Sequence, residues 1–152
     1  MTDRRPLDVN LVLVPVDRSE ESTSAVEHAT AVAAKYDAAV HAVHVLGEDV
    51  VRAIENGAVD EEDVAADSAA IERTACDLAD SYGVDVATSV AYGFSTQSKL
   101  RHPGSVILDT ADALSADFIV VPREPMSGDP GEVLAKAAEY VLLYASQPVL
   151  SV

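Results

Sequence analysis

Three stretches carry the side chains that could hold a ligand: Asp17-Arg18, the run Lys99-Leu100-Arg101-His102, and Pro122-Arg123 with Lys136 beyond it. The chemistry they offer is anion binding, because guanidinium and ammonium groups make charge-assisted hydrogen bonds to carboxylate and phosphate oxygens. The chain has only 10 Lys and Arg in all, so Lys99, Arg101 and His102 within four positions form a local excess of base. Two readings are open for them. They pair with neighbouring acids in a surface loop, or the loop folds over the same crevice as Arg18, Arg123 and Lys136. In the second case these residues make a cationic pocket for a small anion or phosphorylated metabolite. Arg123 and Lys136 have the same two options, with Glu124 and Glu132 close by in sequence.

Other chemistry finds little support. His28, His41, His44 and His102 show no metal-ligand spacing with carboxylates or with Cys76. His44 lies in an apolar run and reads as a core histidine with its hydrogen bonds met. Cys76 falls among apolar helical positions and reads as buried and inert. Ser127 precedes Gly128 but lacks the G-x-S-x-G of a nucleophile elbow. No pair of carboxylates sits at a spacing that points to acid–base catalysis. No catalytic residue and no metal site are assigned, and the chain reads as a non-enzyme.

The elements that must position these residues alternate in type. Val9 to Val16 is a continuous apolar run, as expected of a strand covered on both faces. It ends at Asp17-Arg18-Ser19, where Ser19 suits a helix N-cap and Glu20 and Glu21 the first turn. Ala25, Val26, Ala29, Val32, Ala33 and Tyr36 then recur at helical spacing. Ala38 to Leu46 is the second strand. Gly47 to Asp60 is acidic and irregular, with a short helical piece around Val50–Ile54. A helix over Glu61 to Tyr82 puts Val64, Ile71, Ala75, Leu78 and Tyr82 on one face, and Gly83 ends it. Val84 to Ala91 is the third strand, Tyr92 to Pro103 a polar connector, Gly104 to Leu114 a helix, and Phe118 to Val121 the fourth strand. Asp129-Pro130-Gly131-Glu132 reads as a helix start, with Asp as cap, Pro at the first position and Glu three residues after the cap. The chain closes on a fifth strand. This alternation predicts an α/β fold with an open, doubly wound parallel sheet of five strands and helices on both faces. In such sheets ligands bind at the carboxyl ends of the strands, where the strand order reverses.

Length and composition bound the rest. At 152 residues the chain fits one domain over 1–152 with a core that needs no disulfide or metal. Hydrophobic residues make up 49% but aromatics only 5%, so the core is built from Val, Ala, Leu and Ile. No apolar run approaches the roughly 20 residues of a membrane span, and Met1–Asn10 lacks a signal-peptide core, which predicts a cytoplasmic location. The balance of 26 acids to 10 bases gives a net charge of −16. A surface so acidic repels nucleic acids and anionic membranes, so neither is expected as a partner. It also resembles the surfaces of proteins from salt-accumulating halophiles. At molar salt the Debye length is about 3 Å and self-repulsion is screened. The melting temperature is therefore expected to rise from dilute buffer to molar KCl, and a flat or falling value in thermal scans would contradict this.

The opening VLVPVDRSEESTSAVEHATAVAAKY and the closing Ala138-Glu139-Tyr140-Val141 and Gln147-Pro148-Val149-Leu150 resemble the universal stress protein family, over almost the whole chain. The resemblance implies strand order 3-2-1-4-5 and a stress-response or regulatory role. In the family, the Asp after the first strand hydrogen-bonds adenine or ribose, and the matching residue is Asp17. A Val of the second strand contacts adenine, and the matching residue is Val45. Nucleotide-binding members carry G-x2-G-x9-G-[ST] after the fourth strand, and here those positions hold Pro122, Pro125, Ala135 and Lys136. Proline has no amide hydrogen and a locked φ. Losing one or two charge-assisted hydrogen bonds weakens phosphate binding roughly tenfold to ten-thousandfold. The resemblance thus implies no cofactor: a module that does not bind ATP in the family's usual manner, with a small-ligand sensor for a nucleotide or other anion as the alternative. Many members dimerise through the last strand, which here gives a homodimer through Val149, Leu150 and Ser151. Between Gly93 and the third helix the family has a very short turn, whereas this chain inserts the basic stretch 94–102.

Overall fold

A computed structural model describes residues 7–17, 19–46, 48–92, 102–122 and 133–152, with residues 48–51, 92 and 133–136 defined by backbone alone. The elements run β1 (Leu11–Val16), α1 (Glu20–Tyr36), β2 (Ala39–Leu46), α2 (Glu48–Glu55), α3 (Glu61–Ser81), β3 (Val86–Tyr92), α4 (Pro103–Leu114), β4 (Phe118–Val121), α5 (Val133–Tyr144) and β5 (Val149–Ser151). The strands form one five-stranded sheet of order β3-β2-β1-β4-β5, all pairs parallel.

The apolar run of β1 makes it the central strand, because a strand with helices on both faces has no polar side to show water. Val12, Val14 and Val16 pack under α1 and α3 with Ala25, Val26, Ala29 and Ala75. Leu13, on the other face, packs with Val43, Val45, Ile107, Ile119 and Val141 under α4 and α5. Burying each such Val, Leu or Ile contributes about 1.5–3 kcal/mol before conformational entropy is subtracted. α1 starts where its cap predicts: Ser19 Oγ accepts the Ser22 amide at 3.1 Å, and Glu20 and Glu21 occupy the first turn. α3 is capped by Asp60, which accepts from the Glu62 amide. Gly83 follows α3 at φ 70°, a left-handed conformation that glycine adopts without a Cβ penalty.

Several expectations need correction. The irregular stretch after β2 contains a full two-turn helix, α2, because the expected helical piece extends by two residues at its start and one at its end. The first strand starts at Leu11, although Val9 is buried just before it. β3 starts and ends later than expected, at Val86 and Tyr92. Tyr82 and Tyr36 are exposed, since each lies at the very end of its helix, beyond the edge of the core. Cys76 is only half-buried. α4 begins at Pro103 with His102 as its cap, which shortens the connector. Among the described residues no helix is long and apolar enough to cross a membrane.

Candidate functional site

The sheet register places Asp17 and Val45 together. Val16 pairs with His44 and Leu13 with Ile119. The residues that follow, Asp17 after β1 and Val45 next along β2, therefore emerge side by side at the carboxyl end, and Pro122 follows β4 one strand over. This is where the order reverses around β1, the position at which open α/β sheets take ligands. Val45 and Pro122 are both buried.

Asp17 is held by the turn it starts. Its amide donates to Ser22 Oγ at 2.9 Å. Its Oδ1 accepts the Ser19 amide at 2.8 Å and also the Ser19 hydroxyl. Ser19 in turn caps α1, so Asp17, Ser19 and Ser22 form a closed ring that aims the helix. Asp17 thus orients α1, and its Oδ2 is left without a hydrogen bond among the described residues. Ser22 was not singled out in the sequence. Its signal was there, as a small polar residue at a spacing where helix interiors usually show solvent.

His44, beside Val45, is a core histidine as expected: it is buried, and its Nδ1 lies 2.8 Å from Ser68 Oγ on α3. His41 lies three rows earlier on β2, with Nε2 2.8 Å from Ser89 Oγ on β3. Burial lowers the His41 pKa, because desolvation disfavours the charged ring. The unfolded chain then takes up the proton first as pH falls. The stability from neutral His41 is complete above about pH 6.5 and is lost as pH drops through that value toward the lower folded pKa. Replacing His41 by Gln is expected to flatten the dependence of melting temperature on pH across this window. An unchanged slope would show that another group carries it.

His102 departs from its expected role. Its Nδ1 accepts the Gly104 amide at 3.0 Å as the cap of α4, and its ring stacks on Tyr140 of α5, centroids 4.5 Å apart. His102 thus serves as the cap of α4, with its ring held against Tyr140. Arg18, Lys99, Arg101, Arg123 and Pro125, together with the side chains of Ala135 and Lys136, lie outside the described residues.

The chain matches the profile of the universal stress protein family over residues 10–152 and belongs to that family. Solved structures with the same fold include a universal stress protein in complex with cAMP, 22% identical with a TM-score of 0.65, covering 95% of this chain and 97% of that one. A universal stress protein from Archaeoglobus fulgidus in complex with dAMP is 22% identical with a TM-score of 0.64, covering 93% and 96%. The stress protein UspA from Lactobacillus plantarum is 22% identical with a TM-score of 0.69, covering 95% and 98%. A comparison with curated proteins finds no match.

Proposed function

We propose that this protein is a non-catalytic regulatory module of the stress response that does not bind ATP in the family's usual manner. The observation that carries the reading is Pro122. It is buried directly after β4, at the first position of the phosphate-binding pattern, and offers the ligand neither an amide hydrogen nor a free φ. Titration with Mg-ATP in molar KCl should give no saturation at micromolar concentrations and no turnover. Micromolar binding through that loop, or hydrolysis, would end the reading.

A second reading has its own support. Asp17 and Val45 stand together, and two relatives of the same fold were solved with cAMP and dAMP, each bearing a single phosphate. On this reading the protein is a sensor for a nucleotide monophosphate or similar anion, with Arg18, Lys99, Arg101, Arg123 and Lys136 as its cations. It requires cAMP or AMP to bind the parent and to bind a Lys99→Ala, Arg101→Ala variant more weakly. Equal binding by both chains rules it out.

The assembly in this proposal is a homodimer through β5. That strand pairs only with β4 among the described residues, and Leu142, Leu143 and Tyr144 just before it are exposed. Edge strands with unpaired backbone groups and apolar neighbours suit pairing across a two-fold axis.

A further inference from the structure

A cleft of about 190 Å³ opens between α1 and α3, on the face of the sheet opposite Val45. Its floor is apolar: Val16, Val26 and Ala75 are buried there, and Ile71 is half-buried beside them. Its polar lining is mostly committed. Ser22 Oγ accepts from Asp17, Ser19 Oγ caps α1, and Thr74 Oγ1 donates to the Ala70 carbonyl. Asp67 lines the opposite wall and already has a partner. Among the described residues, the groups left to meet a ligand include the Asp17 carboxylate, through Oδ2, and the Thr23 hydroxyl. No lysine or arginine among the described residues lines the cleft.

We propose that this cleft, which meets the strand-end crevice at Asp17 but lies on the other face of the sheet, is a second ligand site, and that it takes a small organic cation. An ammonium group sits at Asp17 Oδ2 while an apolar body covers Val16, Val26, Ile71 and Ala75. Three observations select this class. Among the described residues, the Asp17 carboxylate presents a charged acceptor oxygen to the cleft without a hydrogen bond, so a donor is favoured there. The floor is apolar, so a bare metal or potassium ion would leave it wet and its own coordination unmet. The volume equals the share of about six waters in the liquid, too little for an intact nucleotide but enough for a compact amine.

The experiment is a titration of the full, 15N-labelled chain in molar KCl with phenethylammonium, 2-phenylethanol and phenylacetate, followed by amide NMR shifts. Phenethylammonium should shift Ser19, Thr23, Ile71 and Thr74 saturably. The neutral alcohol should bind at least tenfold more weakly, since a hydrogen bond to a charged group is worth about 1.5–3 kcal/mol, and phenylacetate should leave these amides unmoved. Asp17→Asn keeps an oxygen for the Ser19 contacts but removes the charge, and should weaken phenethylammonium at least tenfold. Ala70→Leu adds bulk from the exposed wall of the cleft, leaves the core untouched, and should abolish the shifts. The proposal is overturned if phenethylammonium gives no saturable shifts at millimolar concentration. It is also overturned if the alcohol binds as well as the amine, or if Ala70→Leu binds like the parent.

Discussion

A chain carrying Pro122→Gly, Pro125→Gly, Ala135→Gly and Lys136→Ser is expected to bind Mg-ATP roughly tenfold to ten-thousandfold more tightly than the parent. The range follows from regaining one or two charge-assisted hydrogen bonds at about 1.5–3 kcal/mol each. The physical change is local. Glycine restores a donating amide and the freedom of φ that lets a backbone close on phosphate, and serine restores a hydroxyl at the last position. The acidic surface sets an opposing term, because a triphosphate approaches a chain of net charge −16; in molar KCl that repulsion is screened. Calorimetric titration of parent and variant in the same high-salt buffer reads the ratio. If the variant gains less than twofold, the motif replacements are not what keeps ATP out. The reading would then have to rest on the inserted basic stretch 94–102 or on the crevice floor.

The second large effect falls on packing. A Cβ built at Gly104 would lie 2.5 Å from Tyr140 Cβ, 2.7 Å from its Cδ1 and 2.8 Å from its Cγ. Two of these are the root of the side chain and cannot swing away, so Gly104→Ala must push α4 off α5. Overpacking of this kind costs up to about 3 kcal/mol. For a chain of this length that corresponds to a fall in melting temperature of about 6–12 °C. Thermal unfolding by circular dichroism in molar KCl measures it, and a fall under ~2 °C would mean that the two helices separate easily. Tyr140→Ala in the same chain should relieve only part of the loss, because the nearest atom is the Cβ that alanine keeps. His102 ties this contact to the edge of the crevice: it caps the turn that holds Gly104, and it stacks on the same Tyr140 ring.

The order and type of elements were legible in the residues because period-2 and period-3.6 patterns and helix caps are local. Ser19, Asp60 and Gly83 sit where the chain turns, and the VNLVLVPV run could only be a strand covered on both sides. Element ends were less legible. His102 looked like loop chemistry because nothing nearby in sequence reveals that Tyr140 will lie against its ring.

Asp17 and Val45 came from family resemblance, and the register shows that they lie together: β1 and β2 deliver them to adjacent places on one rim. Ser68 under His44 is 24 residues away in sequence. Asp117, whose carboxylate accepts the amides of Asn10 and Leu11 at 2.8 and 3.1 Å, is more than 100 residues away. By itself the sequence determined an acidic, Val- and Ala-rich α/β chain whose resemblance puts Pro122, Pro125, Ala135 and Lys136 at the family's motif positions, since composition, periodicity and motif are properties of neighbours along the chain. Only the tertiary structure decided that Asp17 aims a helix, that His102 is a cap, and that a cleft opens behind the sheet. Those depend on which side chains meet across distances that no local pattern encodes.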